Sequence, residues 1–309
     1  LKRLLATGRH GFVGSTLARV LACEPALGWE LVELPRPFDI RDSTRTRDLV
    51  ASAAPDAVLH LAARSNVPDA FRDPEATIQV NVLGTLNLLQ ALKRFGFRGP
   101  MLFVGTSDVY GFVAESDLPI NERRVPAPRN PYAVSKLAAE ALCFQWSVTE
   151  GIDIRLARPF NHIGPGQSDA FVVSSLARQI AAVQHGRRER VIDVGDLDVT
   201  RDFTDARDVV RAYLLLLERG ANSELYNVCS GREQPVRQIV ERLLDLARVD
   251  VELRQDPGRL RRAEQRRACG DPTKIRAATG WVATTPLEDS LAAMLAYWTR
   301  HDQSGKIAE

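Results

Sequence analysis

Metal-binding and disulfide patterns are missing from this chain. Its four cysteines, Cys23, Cys143, Cys229 and Cys269, lie far apart, with no Cys-x-x-Cys among them. The five histidines keep no metal spacing. Reduced thiols, a cytoplasmic location and no metal are therefore expected. No apolar run approaches the ~20 residues of a membrane span, and no signal-peptide pattern opens the sequence. An excess of one charge is lacking too: 41 basic and 39 acidic residues leave a net charge of +2. A dispersed, balanced charge implies neither a nucleic-acid partner nor a membrane surface. The local exception is the basic run Arg259, Arg261, Arg262, Arg266 and Arg267. What remains is 309 residues of ordinary globular composition, enough for one large or two modest domains.

Lys2 to Thr7 reads as a short buried strand that runs into Gly8-Arg9-His10-Gly11-Phe12-Val13-Gly14. Val13, Leu17, Val20 and Leu21 then keep helical spacing, which places the glycines on a strand-to-helix turn. Glycines there let the backbone approach a pyrophosphate, which the helix N-terminus stabilises through its N–H groups and dipole. A second strand is expected at about residues 30–34. An acid at its end would hold the ribose hydroxyls of NAD, whereas arginines would favour the 2′-phosphate of NADP. Glu33 stands near that end, and Arg9 and Arg36 could both reach a 2′-phosphate. The balance favours NADP(H) and leaves NAD(H) open.

Strand-like segments at 56–63, 101–104 and 153–160 alternate with helices, one of them containing Asn81 and running to Phe95. This alternation predicts an α/β fold, a Rossmann-type doubly wound parallel sheet over residues 1–160, with a strand and helix returning at about 205–230. Residues 161–309 are expected to form mainly a smaller C-terminal α/β domain that binds substrate. His60, inside an apolar strand, reads as a packed histidine rather than a catalytic base.

The stretch Asn130-Pro131-Tyr132-Ala133-Val134-Ser135-Lys136 opens a helix predicted to reach about Gly151, with Pro131 in its first turn. Tyr132 and Lys136 are four apart and share a face. A cation beside a phenol favours phenolate, so a Tyr of ordinary pKa ~10 would exchange its proton nearer neutral pH. Alone, such a pair is an ordinary feature of a surface helix. The strand ending at Val104 leads into Thr106, however, and carboxyl ends of parallel strands face the ligand crevice.

Six matches, taken together, carry a resemblance. They are Thr7-Gly8-x-x-Gly11-x-x-Gly14, Asp39-Ile40, His60-Leu61-Ala62-Ala63, Asn81-x-x-Gly84-Thr85, Thr106-x-x-Val109-Tyr110-Gly111 and Tyr132-x-x-x-Lys136. The chain resembles the extended short-chain dehydrogenase/reductase family over nearly its whole length. The resemblance implies Tyr132 as general acid/base, Thr106 orienting the substrate oxygen, and Lys136 lowering the phenol pKa while holding the nicotinamide ribose. Implied cofactor contacts are Gly8, Arg9, Gly11, Phe12, Val13, Gly14 and Arg36, with Asp39 and Ile40 toward the adenine. Ala62 would meet the cofactor's central region, with Leu61, Ala63, Asn81 and Pro159 completing the set.

Within the family, Arg158-Pro159-Phe160-Asn161-x-x-Gly164-Pro165 and Arg201-Asp202-Phe203 mark members that act on nucleotide-diphosphate sugars. An arginine fork such as Arg201 suits a diphosphate, pairing two oxygens at once. Arg261-Arg262-Ala263-Glu264, followed by Gly270-Asp271-Pro272-Thr273-Lys274, is similar to the C-terminal segment of GDP-mannose 4,6-dehydratases. That carries substrate contacts over to Arg261 and Glu264, and more loosely to Arg178; Asn161, Phe171 and Val172 complete the implied substrate set. The dehydratases carry Thr-x-Glu before Val/Leu-Tyr-Gly, the Glu removing a sugar proton. Here Asp108 stands at that place, one methylene shorter, and argues against dehydration. The chain looks most like the members that reduce GDP-4-keto-6-deoxy-D-mannose at C4 to GDP-D-rhamnose. A 4,6-dehydratase or nucleotide-sugar epimerase with the same triad is the nearest alternative. A non-catalytic NAD(P)-binding regulator would have no need of Thr106, Tyr132 and Lys136 together. A homodimer through two helices beside the sheet is the family default.

Overall fold

The computed structural model describes residues 1–259 and 265–303. Its first half runs β1 (Lys2–Thr7), α1 (Phe12–Cys23), β2 (Trp29–Leu31), α2 (Ser43–Ala53), β3 (Ala57–His60), α3 (Val67–Arg72) and α4 (Pro74–Ile78). It continues with α5 (Gly84–Arg94), β4 (Met101–Val104), α6 (Pro131–Glu150) and β5 (Ile154–Pro159). Next come β6 (Asn161–Ile163), α7 (Val172–Gln184), β7 (Val191–Val194), β8 (Thr200–Asp205), α8 (Ala206–Arg219) and β9 (Leu225–Val228). Then follow β10 (Glu233–Pro235), α9 (Val236–Ala247), β11 (Glu252–Gln255), α10 (Thr273–Thr279) and α11 (Leu287–Gln303).

Six parallel strands form the main sheet in the order β2-β1-β3-β4-β5-β9. Successive side chains on a strand point to opposite faces. Leu4 and Ala6 accordingly pack with residues of α1 and α8, whereas Leu5 packs with those of α2, α5 and α6. With both faces covered, the strands must be apolar throughout. The strand order reverses between β1 and β3, and ligands of such sheets bind outside the carboxyl ends at that switch point.

Three features of the first half depart from the expected elements. β2 ends at Leu31 and β3 at His60, each three residues short of the expected 34 and 63. The helix around Asn81 is two α segments joined by a π turn over Gln79–Leu83. π turns of this kind concentrate at functional sites. Helical periodicity cannot reveal one, because it displaces the apolar stripe by a single residue.

In the second half, β10, β8 and β6 form a three-stranded sheet, and β11 pairs in parallel with β7. A separate core joins α7, α9 and α11 through Leu176, Ile180, Ile239, Leu243 and Leu291. α8 and β9 leave this half and pack on the main sheet. The strands β6, β8, β10 and β11 were not foreseen, because segments that are brief or, like β8, largely polar carry no readable period. Among the described residues no helix is long and apolar enough to cross a membrane.

Candidate active site

The glycine turn sits at the switch point. Gly8 has φ 73°, and a Cβ there would lie 2.8 Å from the Ala62 nitrogen; one on Gly14 would lie 2.4 Å from the Arg9 carbonyl. Side chains at either place would push the turn off β3 or off its own helix. Gly11 precedes α1 with no side-chain cap, and the first turn holds no acid, so its N–H groups suit an anion. Beside it opens a cleft of about 510 Å³ lined by Arg9, His10, Ser15, Glu33 and Arg36, among others. Arg9 pairs with Glu33 at 2.7 Å and donates to the Val32 carbonyl at 2.9 Å. Arg36 donates from Nε to His10 Nε2 at 3.0 Å. An uncapped helix start next to a cleft with two guanidinium groups fits a phosphorylated dinucleotide.

Asp39 is engaged by Arg41 at 2.6 Å, and that hydrogen bond holds its carboxyl below the usual range. Ile40 is buried against Gly84, where a Cβ would meet its methyl group at 2.5 Å. Leu61, Ala62 and Ala63 form the half-buried turn after β3, and Pro159 closes β5. The Phe12 ring stacks on His162 at 5.9 Å, and Arg19 donates to the Pro165 carbonyl at 3.1 Å. β6 and the loop after it thus lie against α1, a contact that sequence spacing did not reveal.

Asn130 caps α6, its Oδ1 accepting from the Ala133 N–H at 2.7 Å, and Gly151 at φ 70° ends the helix. Tyr132 is half-buried, Lys136 buried, and Thr106 buried at the end of β4. The Thr106 hydroxyl acts on the phenol by hydrogen bonding and accepts from the Asp108 N–H at 3.2 Å. Hydroxyl and phenol therefore meet as the strand-end argument required. The expected depression of the phenol pKa is not found. Burial pushes the Tyr132 pKa up and the Asp108 carboxylate pushes it further, with only Thr106 opposing. Lys136 turns its ammonium toward the Phe103 ring, 4.4 Å from the centroid. Burial lowers its pKa to about 8, against the opposing influence of Cys143 and Glu140.

Five residues at the site had no role in the sequence reading: Tyr110, Ser135, Glu140, Arg158 and Asn227. Glu140 accepts two hydrogen bonds from Arg158, at 2.9 and 2.6 Å, in a buried pair. Arg158 lies over the Tyr110 ring at 4.7 Å, and the Tyr110 hydroxyl donates to Asn227 Oδ1 at 2.7 Å. Ser135 accepts from Asn81 Nδ2 at 2.8 Å and donates to the Tyr132 carbonyl at 2.7 Å. Asn81 also holds the Arg64 backbone from both sides, at 2.8 and 3.1 Å. The available signal was spacing on α6: Ser135 and Glu140 fall three and eight residues after Tyr132.

On the substrate side, Asn161 is exposed on β6, and Phe171 and Val172 are exposed at the start of α7. Arg178 pairs with Asp169 and lies over the Trp298 ring at 5.7 Å. Arg201 near the start of β8 donates to the Thr200 and Gln265 carbonyls at 2.7 and 2.9 Å. Its neighbour Asp202 is buried and accepts from the Ser230 and Gly231 N–H groups at 2.8 and 2.9 Å. Asp202 thus holds a turn, whereas Arg201 stands at the rim. Arg266 and Arg267 pair with Asp196 and Glu233 at the surface. Arg261 and Glu264 lie outside the described residues. Among the described residues there is no group of side chains that could hold a metal.

A doubly wound sheet with a glycine turn at its switch point and a Thr-Tyr-Lys set beside it defines an extended short-chain dehydrogenase/reductase. Residues 32–294 match the family described as GDP-mannose 4,6 dehydratase, and the chain belongs to that family. It is 52% identical to the GDP-6-deoxy-D-mannose reductase of Pseudomonas aeruginosa, over 96% of this chain and 97% of that protein. A GDP-mannose 4,6-dehydratase of Yersinia enterocolitica is 29% identical, over 84% and 77%. The structure of RMD from Pseudomonas aeruginosa complexed with NADPH superposes with a TM-score of 0.92 at 51% identity, covering 97% of this chain and all of that one.

Proposed function

We propose that this protein reduces the C4 keto group of GDP-4-keto-6-deoxy-D-mannose to give GDP-D-rhamnose, using NADPH in preference to NADH. The observation that carries this reading is 52% identity, end to end, with a GDP-6-deoxy-D-mannose reductase. The nicotinamide cofactor supplies the hydride when bound. The 8–14 turn and the start of α1 hold its pyrophosphate, with Arg9, His10 and Arg36 placed for a 2′-phosphate. Thr106 orients the sugar C4 oxygen. Tyr132 donates its proton to that oxygen as negative charge develops, and Lys136 holds the nicotinamide ribose. A raised phenol pKa keeps the proton in place until the alkoxide forms, which suits reduction.

Residues 1–160, with the returns at about 205–230, would carry the cofactor, and 161–309 mainly the nucleotide sugar. Arg201 is read as the diphosphate ligand, with Asn161, Phe171, Val172, Arg178, Arg261 and Glu264 as further substrate contacts. Exposed Ile78 and Leu83 beside α5, and Val134, Phe144 and Val148 on α6, support a homodimer through these helices. Four unbridged cysteines suit a cytoplasmic protein.

The test follows NADPH and NADH absorbance with the GDP-4-keto sugar, and with GDP-mannose as control. NADPH oxidation with the keto sugar alone, yielding GDP-D-rhamnose by NMR, is the expected result. Conversion of GDP-mannose to its 4-keto form without net NADPH oxidation would replace this reading with dehydration.

A further inference from the structure

β1 and β3 end side by side, their register pairing Thr7 with His60. Both residues are buried, as is Thr85 in the first turn of α5. The three side chains form a row: Thr7 Oγ1 lies 2.6 Å from His60 Nδ1, and His60 Nε2 lies 2.9 Å from Thr85 Oγ1. The ends of the row settle where the protons are. The Thr85 hydroxyl donates to the Asn81 carbonyl at 2.6 Å, so its single proton is committed and its oxygen must accept from the ring. Nε2 therefore carries the imidazole proton, and Nδ1 is the acceptor. Thr7 donates to Nδ1 while its oxygen accepts the Ala62 N–H at 3.2 Å. Every donor in the row then finds an acceptor, in one direction only. Burial beside the Lys136 charge pushes the His60 pKa down to about 3, so the ring is neutral at ordinary pH.

The row ends at Asn81, within the π turn. From there the Asn81 amide reaches Ser135, which donates to the carbonyl of Tyr132. A continuous path of hydrogen bonds, buried except at its two ends, thus runs from Ala62, at the switch point, to the first turn of the catalytic helix. It uses only uncharged groups, so ligand binding or substrate charge has no ion pair in it to break.

We propose that His60 is a positioning residue, locked as the neutral Nε2–H tautomer, that ties the cofactor turn to Asn81 and thereby to Tyr132. The turn and the proton donor are then held at one spacing. A leucine would fill the same volume but leave the buried Thr7 proton without its acceptor and Thr85 without the donor it accepts from. The kinetic part of this inference rests on Tyr132 being the proton donor; the tautomer does not.

The experiment has two arms on the full chain with NADPH bound. In ¹⁵N-histidine NMR, the resonance removed by His60→Asn should show a protonated Nε2 and bare Nδ1, unchanged between about pH 8 and about pH 5. A protonated Nδ1, or titration near the ordinary value of ~6.5, would overturn the proposal. In kinetics, Thr85→Val should lower kcat about tenfold while the KM for NADPH stays within about twofold, and Thr85→Ser should restore most of it. Equal kcat in all three proteins would also overturn it. If Tyr132→Phe proved fully active, the proposed function would fail, and the NMR arm would still decide the tautomer.

Discussion

The catalytic helix and the arginine-rich second half hold their charges in different ways. Glu140 on α6 and Arg158 on β5 are 9% and 4% exposed, and Lys136 on the same helix as Glu140 is buried. In the second half, Arg178–Asp169, Arg266–Asp196 and Arg267–Glu233 are pairs at the surface. A buried pair cannot release one partner without stranding a charge, whereas an exposed pair exchanges with water or an anion at little cost. The first region is built to stay as it is. The second can exchange its partners with solvent at little cost.

The sharpest way to probe the rigid side is Tyr132→Phe. It should lower kcat by about 10²–10⁴-fold while NADPH affinity, followed by fluorescence titration, barely changes. Near-normal turnover would remove the phenol from the chemistry. Next in size is Arg158→Met, which leaves Glu140 buried without its partner and should cost about 3–5 kcal/mol in urea unfolding. Arg178→Met should cost at most about 1 kcal/mol. Similar losses from the two substitutions would erase the contrast between the halves.

Arg201→Ala tests the adaptable side. It should raise the KM for the nucleotide sugar about tenfold or more and leave that for NADPH within about twofold. Equal effects on both would take Arg201 off the diphosphate. The smallest effect concerns pH. The Lys136 ammonium, with its pKa lowered to about 8, loses its proton above that pH, so kcat/KM should fall there. Glu140 opposes that lowering, so Glu140→Gln should move the alkaline limb to lower pH. A limb that stays in place would show that Lys136 protonation does not govern it.

Much of the cofactor half was legible because its constraints are local. Gly8 and Gly14 announce a turn where backbones meet, and the apolar run from Ala57 to Leu59 announces a strand covered on both sides. The packed reading of His60 also held, since the ring lies buried between two hydroxyls. The phenol pKa was misjudged for a physical reason. Spacing alone put Lys136 beside Tyr132, but the helix aims the ammonium at Phe103, and Asp108 arrives from another strand end. The short strands of the second half were invisible because their pairing is long-range, as in β8, which β6 and β10 flank.

By itself, the sequence determined the alternating α/β architecture, the glycine turn, and the residue types of the reacting set, since each is written in nearest-neighbour spacing. Only the tertiary structure decided where the buried Lys136 ammonium points, which carboxylate acts on Tyr132, and how Arg158 and Asn81 brace the helix. Those depend on distances between segments far apart in the chain, and proton affinities follow distance and burial rather than sequence order.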